Sequence, residues 1–297
     1  MELRQINTFI RAAQMKSFSK AADSLGYSQT AVTVQIRLLE EELNVQLFDR
    51  VGRQVTLTGP GEQFLTGAYS ILYEMNKAVF SVSGTGELHG TLHIGVIESI
   101  SAAKLPAILS RFRTLHPKAV VQITIGTPED LIEKMEGGEL DLIYILDAPR
   151  YNNRWCKELE QKEEVVFVAS SSLELGRRGA VDAAELLDKP FFLTERDANY
   201  RRALDRYLAS RSLAVTPFLE SSDTSLILRM LEKSQGISFL PRFMVERGIQ
   251  KGRLTVVETT DFCLTMYGQI FYRKDRWKTG EMEAFIRLAA QEGGWPV

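Results

Sequence analysis

Along the first part of the chain apolar residues recur three and four apart, the interval that places them on one side of an α-helix. Ile6, Phe9, Ile10 and Ala13 keep that interval between Leu3 and Met15, which predicts an amphipathic first helix. A short second helix is expected from about Ser19 to Leu25, with a serine to cap its open N–H groups and Gly26 to end it in the left-handed conformation. A third begins at Ser28. Its Val32, Ile36, Leu39 and Leu43 form the packing stripe, so Gln29, Thr30, Thr33, Val34 and Arg37 gather on the other side. From Leu47 to Thr58 the period changes to alternation on both sides of a Gly-containing turn, as in a β-hairpin wing with Arg53 at its tip.

Two helices joined by a turn as tight as Gly26-Tyr27-Ser28, the second offering short polar side chains at its start, form the arrangement that lets a helix enter the major groove of DNA. Gln29 can pair with adenine, Thr30 and Thr33 can bond to a base or a phosphate, and Val34 can touch a thymine methyl. Arg50 suits a backbone phosphate and Arg53 the negative potential of a minor groove, although either would serve equally as a solvated surface charge. Residues 1–58 carry seven basic and six acidic residues, so they lack the field of a nonspecific nucleic-acid binder. Three of the acids, Glu40, Glu41 and Glu42, are expected on a solvated face at the far end of the third helix.

Leu65, Ala68, Leu72, Met75, Val79 and Val82 then alternate three and four apart, which is a heptad seam. A helix with this seam pairs with its twin or packs on its own domain. Pairing would space two reading helices about one DNA turn apart, or a multiple of it, and so select an inverted repeat. Ser83-Gly84-Thr85-Gly86 reads as a flexible hinge ending this helix.

Beyond Leu92 short apolar runs alternate with helical periods: strands at Leu92 to Ile97, Val120 to Ile125 and Leu140 to Leu146, then at Val165 to Ala169, Phe191 to Thr194, Phe218 to Glu220 and Ile237 to Leu240. This is a parallel α/β pattern, and its length fits two lobes. In such lobes a ligand lies beyond the carboxyl ends of the strands, where helix starts offer free N–H groups. Those ends hold Ser99, Ser101, Thr127, Thr194, Glu195 and Ser221, the candidate effector contacts, with Glu98 and Ser222 beside them. Each hydroxyl is also placed to cap a helix, as in Thr127-Pro128-Glu129-Asp130. Glu98 and Glu195 would favour an effector with an amino group, or they are exposed rim carboxylates.

The remaining chemistry mostly excludes. With 36 basic and 38 acidic residues the whole chain has no global attraction for nucleic acid, so any DNA contact must be local. His89, His93 and His116 are the only histidines, none stands in a metalloprotease or nucleophile-elbow context, and no Gly-rich phosphate loop follows a strand. No catalytic residue, metal site or cofactor is expected. Cys156 and Cys263 lack metal-ligand spacing. No export signal or long apolar run is evident, so a cytoplasmic protein with no membrane partner is expected.

The string Ser17-Phe18-Ser19-Lys20-Ala21-Ala22-Asp23-Ser24-Leu25, followed by Ser28-Gln29-Thr30-Ala31-Val32-Thr33, Gln35-Ile36, Leu39-Glu40, Leu43, Leu47-Phe48-Asp49-Arg50 and Leu57-Thr58, resembles the LysR-type transcriptional regulators over about fifty residues. The resemblance implies groove contacts at Gln29, Thr30, Thr33 and Val34 and wing contacts at Arg50 and Arg53. The family often has proline where this chain has Thr30, and a basic or polar residue in place of Val34. It further implies an α/β chain with an N-terminal winged helix-turn-helix (1–58), a long linker helix with its hinge (59–88) and a C-terminal two-lobed effector-binding domain resembling periplasmic binding proteins (89–297). Lobe I would comprise about 89–160 and 266–297, and lobe II about 161–265. The partners implied are double-stranded DNA at an inverted-repeat promoter site, a small-molecule metabolite held between the lobes, a second copy through the linker helix, a homotetramer, and RNA polymerase. Some relatives sense oxidation through a cysteine pair, but Cys156 and Cys263 match no such motif.

Overall fold

The computed structural model describes residues 1–51, 54–82, 88–175 and 179–292. Two separate hydrophobic cores organise the chain. The first is built by α1 (Leu3–Met15), α2 (Phe18–Leu25) and α3 (Gln29–Leu43), the antiparallel hairpin of β1 (Phe48–Val51) and β2 (Gln54–Leu57), and the start of α4 (Gly59–Val82). Its centre is aromatic: the Phe48 ring lies 5.3 Å from both Phe9 and Phe18, and Phe64 closes on Phe9 at 5.0 Å. Serines start the second and third helices as the sequence suggests, Ser17 accepting from Lys20 N and Ser28 from Ala31 N. Gly26, at φ +68°, ends α2 in a conformation that a side chain would strain.

One expectation needs correction here. Glu40 is no solvated residue: it is 6% exposed, and its Oε1 accepts the backbone N–H groups of Leu47 at 2.8 Å and Phe48 at 3.1 Å. The acid run therefore contains one buried acceptor that fastens the end of α3 to the start of the wing. The front half of the heptad seam is already engaged within the chain, because Ala68 is fully buried and Leu65 and Leu72 pack on the first core. Periodicity reports an apolar stripe but not what covers it. The side chains of Val79 and Val82, and the hinge Ser83-Gly84-Thr85-Gly86, lie outside the described residues.

The second core surrounds a seven-stranded sheet. Parallel strands β3 (Thr91–Val96), β4 (Val120–Ile125) and β5 (Leu142–Asp147) alternate with α5 (Glu98–Ala103), α6 (Leu105–Leu115) and α7 (Pro128–Glu136). All six residues of β5 are buried, as a strand covered on both faces requires. Gly95 in β3 is closely covered, since a Cβ there would stand 2.6 Å from a Leu140 methyl and 2.9 Å from a Leu131 methyl, so that a side chain would force these neighbours to shift.

β6 extends from Trp155 to Ser170, far longer than the Val165 to Ala169 run that the sequence suggests. Its first part is polar and alternating, so it carries no continuous apolar signal. The chain then passes β7 (Phe192–Leu193), α8 (Asn199–Ser210), β8 (Leu219–Glu220), α9 (Thr224–Lys233) and β9 (Ile237–Pro241). Next come α10 (Arg242–Gln250) and β10 (Leu254–Val257), neither of which the apolar pattern announces, then β11 (Leu264–Arg273) and α11 (Gly280–Glu292). β11 runs antiparallel between β6 and β5, while β9 and β10 pair with the far end of β6. The long strands β6 and β11 thus join both ends of one sheet, making it mixed where the sequence pattern suggests parallel pairing.

The return of the chain to β3 and β5 is held by a buried charge cluster. Asp141 accepts from His93 N at 2.6 Å and from the His93 ring at 3.2 Å, and it is bonded to the Arg276 guanidinium. Burial alone would raise the Asp141 carboxyl, but these bonds and the charge of Arg276 hold it below the ordinary aspartate value.

Candidate functional site

The structure brings the predicted site residues together in two places. On the first, α3 presents Gln29, Thr30 and Val34 as exposed side chains, with Thr33 half-exposed. The opposite side of the same helix is anchored: Val32, Ile36 and Leu39 are fully buried, and Thr8 donates to Gln35 Oε1 at 2.6 Å to tie α1 to α3. Gln29 is positioned by its own motif, since Ser19 Oγ donates to Gln29 Oε1 at 2.9 Å across the turn. Thr33 Oγ1 donates to the Gln29 carbonyl at 2.9 Å and can still accept. Arg37 lies 3.6 Å from Glu41 on the next turn, an exposed pair easily exchanged for a phosphate. Arg50 is described only by its backbone, paired with Val55 in the hairpin, and Arg53 falls outside the described residues.

The second place is a cleft of about 440 Å³ where strand ends meet helix starts. One wall holds Ile97, Glu98, Ser99, Ile125 and Thr127; the other holds Thr194, Glu195, Tyr200, Ser222 and Thr224. Four of the six predicted contacts, Ser99, Thr127, Thr194 and Glu195, therefore line it. Ser101 and Ser221 do not, which corrects that expectation. Ser101 lies two residues further into α5 than Ser99, and Ser221 Oγ instead accepts from Asp223 N at 3.1 Å within its turn. Asn199, Tyr200 and Thr224 went unpredicted. A signal existed for Thr224, which follows Asp223, the N-cap of α9. No local pattern marks Tyr200, an aromatic residue that reads as core.

The capping alternative holds for Thr127, which accepts from Asp130 N at 3.2 Å. For Ser99 and Thr194 it does not hold. Both residues are 3% exposed, and neither hydroxyl has a well-formed partner among the described residues, although the Tyr200 phenol is close enough to Thr194 for a loose contact. Buried hydroxyls left in this way are costly unless something in the cleft meets them. Burial pushes the Glu98 carboxyl up; the Thr224 hydroxyl, which donates to it, opposes this, and Asp223 and Glu195 add to the rise. Burial also raises Glu195, opposed by Ser222 and reinforced by Asp197 and Glu220.

Comparison with known proteins joins the two places in one architecture. Residues 3–62 match the model of the bacterial regulatory helix-turn-helix protein, lysR family, and residues 85–294 match the LysR substrate binding domain. The chain belongs to the LysR family of transcriptional regulators. It is 31% identical to the HTH-type transcriptional regulator YwqM of Bacillus subtilis over 97% of this chain and 98% of that one. A full-length single-site variant of OxyR from Pseudomonas aeruginosa shares the fold at TM-score 0.66 and 22% identity, covering 98% of this chain and 95% of that one. Full-length CbnR, solved in complex with its target DNA, matches at TM-score 0.51 and 20% identity over 99% of this chain and all of the other.

This LysR-type regulator is thus a DNA-binding transcription regulator with a C-terminal domain for a small-molecule effector, in a family of regulators rather than enzymes. Among the described residues no helix is long and apolar enough to cross a membrane. Both cysteines are free thiols. Cys156 pairs with Tyr272 on β11, whereas Cys263 precedes Leu264, which faces Val165 nine residues further along β6. At about 3.3 Å per residue the thiols lie roughly 30 Å apart, well beyond the reach of a disulfide within one chain.

Proposed function

We propose that this regulator reads an inverted-repeat promoter site in the cytoplasm as a homodimer, through Gln29, Thr30, Thr33 and Val34 in successive major grooves and Arg50 and Arg53 of each wing alongside. The observation that carries this is the two-sided character of α3: one side is fully buried, while the other presents short polar groups with only light structural duties. CbnR, of similar fold, has been solved on its target DNA, which supports the same use of this face. Pairing through α4 would draw on positions outside the stripe already packed on the first core, such as the exposed Ile71.

The division into reading unit (1–58), linker (59–88) and sensing domain (89–297, with lobe I about 89–160 and 266–297 and lobe II about 161–265) assigns the effector to the cleft. There Ser99, Thr127, Thr194 and Glu195 make contact, joined by Tyr200 and Thr224. Effector binding changes the relation of the lobes, moves the paired reading units within a dimer or tetramer, and alters DNA bending or contact with RNA polymerase.

Footprinting on the stretch upstream of the protein's own gene tests the reading. Protection of an inverted repeat is expected, and the combined Gln29→Ala, Thr33→Ala and Arg53→Ala variant should lose it while remaining folded. Unchanged protection by that variant overturns the assignment.

A further inference from the structure

The cleft has one chemical sign. Its lining contains the carboxylates Glu98, Asp130, Glu195, Asp197 and Asp223 and, among the described residues, no lysine, arginine or histidine. Two of these are occupied locally: Asp130 accepts from Thr127 Oγ1 at 2.7 Å, and Asp223 caps α9 through Leu226 N at 2.9 Å and lies 3.5 Å from Arg229. Glu98 and Glu195 are different. They are half-buried, and no cation lies within ion-pair distance of either among the described residues. Their hydroxyl neighbours, Thr224 and Ser222, are neutral. The nearby Arg201 guanidinium is turned away, donating to the Thr194 carbonyl at 2.9 Å and lying between Asp205 and Glu220.

Resting on the assignment of this cleft as the effector site, we propose that the effector is a small amine, cationic at neutral pH, whose ammonium group sits against Glu98 and Glu195. The Ser99 hydroxyl, without a partner among the described residues, and that of Thr194, met only loosely by Tyr200, complete its polar contacts, and Ile97, Ile125 and Leu146 flank its carbon chain. Two half-buried carboxylates that repel one another, with no counter-ion, form a site completed by a positive charge and closed to an anion. The starts of α7 and α9 are already capped by Thr127 and Asp223, and that of α5, which has no side-chain cap, already carries the Glu98 carboxylate in its first turn. The start of α8 has no side-chain cap, since Ala198 stands there, and so leaves room for a carboxylate on the same ligand. A diamine and a diamino acid both satisfy the proposal, and the probes below separate them.

The test is isothermal titration of the full chain with 1,5-diaminopentane, L-lysine, which adds a carboxylate to the same five-carbon diamine, and the five-carbon dianion pentanedioate. At least one amine should bind and pentanedioate should not; preference for L-lysine over the diamine places a carboxylate at α8. Glu98→Gln and Glu195→Gln, near-isosteric changes checked for folding by circular dichroism, should each weaken amine binding by about tenfold or more, the loss expected for a charge-assisted bond. Absence of binding by both amines, or amine affinity unchanged in the double Gln variant, overturns the proposal. Pentanedioate binding that is lost in Thr194→Val discards the amine and leaves the cleft as the effector site. An inducer response in cells that persists in Ile125→Trp, which fills the cleft from a lining position 56% exposed, overturns the cleft assignment itself.

Discussion

The proposed reading face and the proposed sensing cleft solve opposite problems with the same residue types. On α3 the functional groups are exposed and lightly bonded, and the helix beneath them is held entirely by its other side, through Val32, Ile36, Leu39 and the Thr8–Gln35 bond. In the cleft the functional groups belong to the folded interior: Ser99 and Thr194 are buried, Glu98 is shifted by its surroundings, and every position depends on strands and helices distant in sequence. A surface that meets DNA can separate binding from folding. A pocket that must surround a small molecule cannot, and it leaves polar groups unsatisfied until its ligand arrives.

The contrast is tested most severely at Asp141, whose buried bonds to His93 and Arg276 hold the sensing domain together. Asp141→Ala should destabilise that domain by about 3–5 kcal/mol, because it leaves the Arg276 charge without its buried partner. Calorimetry should show this loss while the transition of the first core stays in place. Because the folded carboxyl lies below its ordinary value, this stabilisation is complete at neutral pH and falls away only as pH drops through and below the usual aspartate range. A wild-type acid limb identical to that of the variant would contradict this role.

Glu40 is the corresponding point in the first core. Glu40→Ala strands the Leu47 and Phe48 N–H groups and should cost about 2–3 kcal/mol. Operator affinity should fall with it, since the wing would no longer be fixed to the reading helix; a gel shift after correction for the folded fraction measures this. Gln29→Ala should behave in the contrary way. We expect about 1–3 kcal/mol lost in discrimination at one base position, with an unchanged melting temperature, and a drop in stability instead would mean that Gln29 is structural.

The smallest effect is expected at Ser99. Ser99→Ala removes a buried hydroxyl without a partner, so the effector-free chain should gain about 1 kcal/mol or less, while the response to effector weakens. Thermal melts with and without ligand measure both quantities. A destabilised effector-free variant would show that Ser99 has a partner in the resting protein.

The legibility of the two regions differs for the same reason as their energetics. Residues Ser17 to Thr58 form one continuous stretch of sequence whose helices, turn and hairpin are each specified by neighbours two to four positions away. Among the described residues only Glu40 departs from its expected place there, because a charged residue at a helix end looks solvated until the chain folds back over it. In the sensing domain the alternation of strand and helix is visible, but β10 and α10 are not, and the polar first half of β6 conceals a strand that joins two ends of the sheet.

Local periodicity and capping act over a few residues, so the amino-acid order was enough to decide which side of α3 would face outward and that Ser99, Thr127, Thr194 and Glu195 would stand at strand ends. Three-dimensional packing alone settled that Ser101 and Ser221 fall outside the cleft, that Tyr200 and Thr224 fall inside it, and that Glu98 and Glu195 line it together with no cation at ion-pair distance among the described residues. Those facts depend on how separate segments meet, and packing brings together charges and hydroxyls whose distances no spacing along the chain encodes.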